Sequence, residues 1–206
     1  MGKGILIVIS GPAGSGKGTV TARLMATGDY AFSVSMTTRA PRPGEVPGRD
    51  YLFVTREEFE RRLAAGELLE HNEYCGNLYG TPRREAEAVL ASGKNLILEI
   101  DVNGGLQVRE KYPDAVLVML APPTFDQQER RLRGRGTEDD TVIRRRLDTA
   151  HSELGRLSEY DYIVYNNDED TARCAEDILA IVRAEKCAVR RHPDACERYF
   201  ANRMPD

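Results

Sequence analysis

Ile5-Leu-Ile-Val-Ile-Ser-Gly-Pro-Ala-Gly-Ser-Gly-Lys-Gly-Thr-Val20 is the stretch whose reading decides the fold of this chain. The apolar run Ile5 to Ile9 suits a strand covered on both faces, and the pattern from Val20 to Met25 is helical. Between them, Gly11, Pro12, Ala13, Gly14, Ser15, Gly16, Lys17, Gly18 and Thr19 read as a phosphate-binding loop. Its glycines let backbone N–H groups approach an anion where a Cβ would obstruct. The helix beginning near Lys17 aims its N-terminal dipole at the same anion. Lys17 is placed to reach outer phosphates, and Thr19 offers a hydroxyl in the first helical turn. The competing reading is a plain glycine-rich turn between strand and helix. Gly18 occupies a position where the usual pattern has Ser or Thr, so the group that would meet a metal ion is unassigned.

Working outward, apolar runs alternate with helical patterns, which is the signature of a parallel sheet with crossover connections. The runs are Asn95 to Ile100, Ala115 to Leu120 and Tyr162 to Tyr165. The helices are expected at about Pro82 to Ala91, Asn103 to Lys111, Thr124 to Arg133, Glu138 to Glu159 and Glu169 to Lys186. Thr124 with Gln127 has the spacing of a capping box. The expected fold class is therefore α/β, a P-loop NTPase-type parallel sheet flanked by helices. Residues 1–34 and 82–186 form its core, with a lid at about 125–150.

Residues 35–81 break the rhythm and read as an inserted small mixed α/β lobe. Phe32 to Ser35 and Tyr51 to Val54 are expected as strands joined by a Pro/Gly-rich loop, followed by a helix capped by Thr55 and a strand from Leu68 to Tyr74. Arg39, Arg42, Tyr51 and Tyr79 supply two guanidinium forks and two phenols, enough to surround a dianionic phosphate. Each Arg taken singly could equally be a solvated loop residue. Alternation places Glu70 on one strand face with Leu68, Asn72 and Tyr74, where it is either a ligand for a base edge or a solvated carboxylate.

The long helix from Glu138 carries an apolar stripe of Ile143, Leu147, Ala150, Leu154 and Leu157. Arg146 lies along its edge, about 60° from Ile143, positioned either for phosphate or for a structural ion pair. Arg130, Arg131, Arg133 and Arg135 crowd the preceding segment, and Gly134 and Gly136 are candidate hinges for an arginine-rich lid. Asn166, Asn167 and Asp168 follow the last strand, where either a base contact or ordinary turn chemistry fits.

The formal net charge is −4, so duplex nucleic acid or an anionic membrane surface has little electrostatic support as a partner. Arginines outnumber lysines 24 to 5, which suits phosphate forks but also follows from coding bias. Cys75, Cys174, Cys187 and Cys196 lack paired short spacing, and Cys187, His192 and Cys196 would need a fourth ligand from elsewhere to hold zinc. Reduced thiols in a cytoplasmic protein are the simpler expectation. No run is long enough for a signal peptide core or a membrane span.

Ser33-Val-Ser-Met-Thr-Thr-Arg-Ala-Pro-Arg42, Gly48-Arg-Asp-Tyr-Leu-Phe53 and Gly76-Asn-Leu-Tyr-Gly-Thr81 resemble the acceptor motifs of guanylate kinases. Leu98-Glu-Ile-Asp101, Arg131-Leu-Arg-Gly-Arg-Gly-Thr137 and Arg146-Leu147 resemble further motifs of that family, in its order, over about residues 4–186. The resemblance implies magnesium-dependent transfer of the ATP γ-phosphoryl group to GMP. It assigns Ser35, Glu70, Thr81 and Asp101 to guanine, and Arg39, Arg42, Tyr51 and Tyr79 to the GMP phosphate. It further assigns Arg135 and Arg146 to the transferring phosphoryl; Lys17 and Arg42 are expected to be catalytic with them, and Asn167 and the loop from Gly11 to Thr19 to hold ATP. The loop itself looks more like that of adenylate kinases, and residues 187–206 are expected to lack a family counterpart. Two alternatives stay open: a relative that phosphorylates another small phosphate ester, and a non-catalytic protein-binding module of the same fold. The guanine set argues against the first, and the intact Gly16-Lys17 pair against the second.

Overall fold

The computed structural model describes residues 3–74, 76–134, 140–167 and 170–201. The chain runs β1 (Leu6–Ser10), α1 (Lys17–Met25), β2 (Tyr30–Phe32), β3 (Met36–Thr37), β4 (Leu52–Phe53), α2 (Arg56–Ala64), β5 (Leu68–Tyr74), β6 (Asn77–Pro82) and α3 (Arg83–Ala91). It continues through β7 (Asn95–Glu99), α4 (Val102–Lys111), β8 (Val116–Ala121), α5 (Phe125–Gly134), α6 (Asp140–Leu154), β9 (Tyr162–Tyr165), α7 (Thr171–Lys186) and α8 (Ala195–Phe200). Five strands form a parallel sheet in the order β2-β7-β1-β8-β9, and four form a second sheet in the order β4-β3-β6-β5.

The central strands β1 and β8 are almost wholly apolar because both their faces are covered. Ile5, Ile7, Ile9, Val118 and Leu120 face α1 and α7, meeting Val20, Leu24, Ile178 and Val182. Leu6, Val8, Leu96, Leu98 and Leu117 face the other way, toward Ala86, Leu90 and Val108 of α3 and α4. Each fully buried aliphatic side chain stabilises this arrangement by about 2 kcal/mol. The smaller sheet has its own core of Met36, Phe59, Leu68 and Leu78.

Strand β5 stitches the two together. Leu68 enters the smaller core while Leu69 enters the larger one, and a register shift between Leu68 and His71 separates these leucines from the rest of the strand. Gln107 of α4 then clamps β5: its Oε1 accepts from His71 N at 3.1 Å, and its Nε2 donates to His71 O at 2.9 Å. Lys111 adds a third bond to Leu68 O.

Two expected elements are corrected. The strand expected at Phe32 to Ser35 is two strands: β2 ends at Phe32 in the main sheet, and β3 begins at Met36 in the smaller one. Ser33 N makes the last bond to the main sheet, on Ile97 O at 3.2 Å, and Ser35 O already accepts from Leu52 N at 2.8 Å. Only the change of pairing partner divides them. The helix expected to continue to Glu159 stops at Leu154. Gly155 makes the final helical bond to His151 O, after which Arg156 N turns to Glu153 O in a tighter 3₁₀ pattern. Gly propagates a helix poorly, at about 1 kcal/mol relative to Ala, and Arg156 forms its ion pair with Glu159 three residues on. Leu157 therefore leaves the helical stripe.

Caps are half made. Glu58 N donates to Thr55 Oγ1 and Gln127 N to Thr124 Oγ1, both at 3.2 Å. Yet the Glu58 carboxylate turns to Arg61 and Arg62, and the Gln127 amide to Asn167, so neither returns to its cap.

Beyond Lys186 the sequence leaves the chain off the core, but the structure docks its first turn. Glu185 is buried and accepts from Tyr162 OH at 2.7 Å, from Arg191 Nη2 at 3.0 Å and from Arg190. Burial alone would raise its pKa; the three donors outweigh that and hold it below the usual carboxylate value. Arg191 also donates to Asp114 O at 2.8 Å. Ending the chain at Lys186 strips both arginines from a buried carboxylate. We expect a loss of about 2 kcal/mol, modest for a broken buried pair because Arg190 is largely exposed. Calorimetry should show Tm lower by roughly 4–8 °C; an unchanged Tm would mean the docked turn contributes nothing.

Candidate active site

Strand β1 delivers the chain at Ser10 into the loop, and α1 takes it up at Lys17. The close packing of this turn demands glycine at two positions. A Cβ on Gly11 would lie 2.0 Å from Leu120 O, and one on Gly16, whose φ is +86°, would lie 2.2 Å from Asn166 Nδ2. Lys17 Nζ donates to Gly11 O, holding the ammonium over the loop. Residues 11–19 line a cleft of about 630 Å³ together with Glu99, Ile100, Asp101, Arg146 and Glu153. Arg146 reaches it from α6 beside the buried Ile143 and Leu147, while Arg144 and Arg145 are exposed.

A second cavity of about 260 Å³ is lined by Ser35, Tyr51, Glu70, Asn72, Tyr79, Gly80, Glu99, Ile100 and Asp101. The two cavities share Glu99, Ile100 and Asp101. They therefore meet at the carboxyl end of β7, beside β1, where open α/β sheets bind their ligands.

Glu70 is the buried carboxylate of the second cavity, and its Oε1 accepts from Thr81 Oγ1 at 2.6 Å. Burial is the main cause that lifts its pKa, to about 7; the Asp101 charge adds to it, and the Thr81 bond and Lys111 oppose it. Gly104 allows this approach, since a Cβ there would meet Glu70 Oε2 at 3.1 Å. Asp101 caps α4 by accepting from Gly104 N at 2.8 Å, and its other oxygen accepts from Asn72 Nδ2. Glu70 and Asn72 thus share a face, as alternation expected, but Leu68 does not, because of the register shift.

At the mouth, Tyr51 stands edge-on to Tyr79 with centroids 6.1 Å apart. The Arg39 guanidinium lies 5.4 Å over Tyr51 and 5.8 Å over Phe53. It is held by Glu45 at 2.8 Å, and the same carboxylate accepts from Arg42 N at 2.7 Å. Arg42 is exposed on this loop.

Of the residues expected in the site, the structure brings Ser35, Tyr51, Glu70, Tyr79 and Asp101 into one cavity and the loop, Lys17 and Arg146 into the other. Thr81 joins through Glu70 and Arg39 through Tyr51. Asn167 lies apart, with Pro123, Tyr165 and Arg173 around a separate hollow of about 410 Å³. Arg135, Gly136 and Asp168 lie outside the described residues. Sequence reading missed Glu45, Gln107 and Glu153, and it placed Asn72 beside Glu70 without giving it a role. Glu153 could have been found, since on α6 it stands seven residues, two turns, after Arg146 and so shares its face. Its pKa is raised, chiefly by burial, with Lys17 opposing and Asp101 adding.

The family model for guanylate kinase matches residues 3–182. The chain is 50% identical over 191 residues to the guanylate kinase of Lactobacillus delbrueckii subsp. bulgaricus, covering 92% of this chain and 93% of that one. It is 48% identical over 198 residues to that of Lactococcus lactis subsp. lactis, covering 96% and 94%. The crystal structure of guanylate kinase from Anaplasma phagocytophilum superposes with a TM-score of 0.77 at 33% identity, covering 100% of this chain and 98% of that one. The family model ends before the tail, at residue 182, while the Lactococcus match leaves only about eight residues of this chain uncovered and so runs into residues 187–206. The loop that resembles adenylate kinase, the acceptor lobe and the arginine of α6 sit in one chain of matching length throughout, and the chain belongs to the guanylate kinase family.

Proposed function

We propose that the protein transfers the γ-phosphoryl group of ATP to GMP, giving ADP and GDP, with ATP in the loop cavity and GMP in the lobe cavity. The observation that carries the reading is the junction of the two cavities at Glu99 to Asp101, which puts a donor on the phosphate loop next to an acceptor held by the lobe. Guanine offers N1–H and its amine side by side as donors, and ionised Glu70 can accept both; adenine offers a lone pair at N1 and is repelled. Ser35 supplies a hydroxyl to the remaining base edge, Thr81 acts on the base through the Glu70 carboxylate that its hydroxyl holds, and Asp101 borders it. Arg39, Arg42, Tyr51 and Tyr79 take the GMP phosphate, whose charge competes with Glu45 for Arg39. Phosphoryl transfer needs two groups held in line and positive charge around the migrating phosphoryl; Lys17 and Arg146 provide that charge, and Arg135 is assigned to the same task. Asn167 is assigned to the adenine end of ATP.

The residues fit a Mg²⁺ ion carried in on the phosphates of ATP. Mg²⁺ keeps most of its waters and takes few protein ligands; Thr19 borders the cleft with a hydroxyl, and Glu99, Asp101 and Glu153 border it with carboxylates. When bound, the ion neutralises phosphate charge. The cytoplasm, where both nucleotides are met, is the proposed setting. No helix among the described residues is long and apolar enough to cross a membrane.

Coupled measurement of ADP formation with GMP, AMP, dGMP and UMP should show GMP strongly preferred over AMP and UMP. Equal rates with AMP would overturn the reading. The same assay carries a pH signature. Because Glu70 ionises only at about pH 7 and guanine needs it ionised, GMP binding releases a proton below that pH. Affinity for GMP should therefore rise about tenfold from pH 6 to pH 8 and then level off. Titration calorimetry with guanosine, which lacks the titrating phosphate, isolates this term; a flat profile would remove Glu70 from the base.

A further inference from the structure

The structure assigns Gln128, Arg131 and Asn166 as positioning residues that set the peptide planes of the phosphate loop, an inference that rests on that loop holding ATP. Three consecutive loop carbonyls each receive one side-chain donor from outside the loop. Gln128 Nε2 donates to Ala13 O at 2.9 Å, Arg131 Nη1 to Gly14 O at 3.1 Å, and Asn166 Nδ2 to Ser15 O at 2.8 Å. Arg131 Nη2 also donates to Asn166 O at 2.6 Å, which joins the donors into one network. Gln128 and Asn166 are buried, so these bonds are shielded from competing water.

The consequence follows from the planarity of the peptide unit, in which C=O and N–H point in opposite directions. A carbonyl of Ala13 pinned outward turns the Gly14 N–H inward, and a carbonyl of Ser15 pinned outward does the same for Gly16. Ser15 N–H is used within the loop, on Pro12 O at 3.1 Å. The donors thus hold two anion-facing N–H groups in place before any anion arrives, which is the condition for electrostatic stabilisation without reorganisation. Gly16 belongs to the same design, because a Cβ there would occupy the place of the Asn166 amide.

Two of the three donors stand on α5, within the stretch expected as the lid, and the third directly follows β9. An arginine this close to a phosphate loop is ordinarily expected to contact phosphate; here Arg131 spends two N–H groups on backbone carbonyls. The amide nitrogen of Asn166 is likewise committed to the loop.

Gln128→Glu tests the assignment, since it keeps the shape and replaces the donor with an acceptor facing Ala13 O. We expect kcat/KM for ATP at saturating GMP to fall about ten- to hundredfold, while the Kd for GMP, measured by calorimetry without ATP, stays within about twofold because the lobe is untouched. Unchanged kcat/KM for ATP would overturn the proposal, as would parallel loss for both nucleotides, which marks general damage. Should that variant fail to fold, Arg131→Ala decides: added guanidinium ion should restore kcat/KM for ATP in part, and absence of any rescue would overturn the assignment. Lys17→Met run alongside separates the two levels. An inactive Lys17→Met beside a fully active Gln128→Glu rejects the positioning network alone, whereas a fully active Lys17→Met rejects the loop reading beneath it.

Discussion

Replacing Lys17 with Met is expected to lower kcat by at least about a hundredfold while leaving the fold intact, the scale on which a single positioned charge-stabilising donor acts. Lys17 is the first residue of α1 and its ammonium already lies over the loop, on Gly11 O, within the cleft that Arg146 faces. Its position therefore needs no rearrangement to meet phosphate charge as that charge redistributes during transfer. Met keeps the unbranched stem and removes only the charge and the donors, so Tm should change little. GMP affinity measured without ATP should be untouched, because Lys17 does not line the lobe cavity. A near-normal kcat in a well-folded Lys17→Met protein would reject the phosphate-loop assignment.

Glu70→Gln should lower kcat/KM for GMP by on the order of a hundredfold at pH 8, about 3 kcal/mol, with the KM for ATP nearly unchanged and discrimination against AMP narrowed. A buried site discriminates by leaving the wrong partner unpaired. Gln can accept only one guanine donor and presents an N–H₂ to the other. The variant also imitates the protonated carboxyl, so the rise in GMP affinity between pH 6 and pH 8 should vanish with it. Stability moves the other way. A carboxyl whose pKa rises from 4.5 in the unfolded chain to about 7 in the folded one binds an extra proton in the native state, so ionising it destabilises the fold as pH rises across that window. Removing the charge should then leave Tm at pH 8 unchanged or higher. An unaltered ratio of GMP to AMP would make Glu70 a buried structural residue and remove the centre of the guanine site.

Much of the site was legible because local chemistry demands particular residues in sequence order. The loop from Gly11 to Thr19 needs close backbone approach and a lysine at a helix start, and both are short-range requirements. Arg146 could be placed because the helical period sets it beside Ile143 and Leu147, which are buried in the structure. Glu70 stayed ambiguous for a reason of the same kind: alternation gives a face, but only packing says what covers it. The burial of that face, and with it the raised pKa, comes from packing against α4, while the bond from Thr81, eleven residues away, opposes the rise.

What the sequence by itself determined is the alternation of buried strands with helices and the glycine-rich loop between β1 and α1, since each is written in contiguous residues whose spacing carries the physics; the acceptor residues were named by resemblance to the family. The tertiary structure alone decided where strands change sheet at Ser33 to Ser35, where α6 stops, and how the tail's Arg190 and Arg191 neutralise Glu185. It also decided which donors hold the loop: Gln128, Arg131 and Asn166 are separated from their carbonyls by 115, 117 and 151 residues. Hydrogen bonds and ion pairs over such distances depend on the path of the whole chain, and no local period or motif encodes that path.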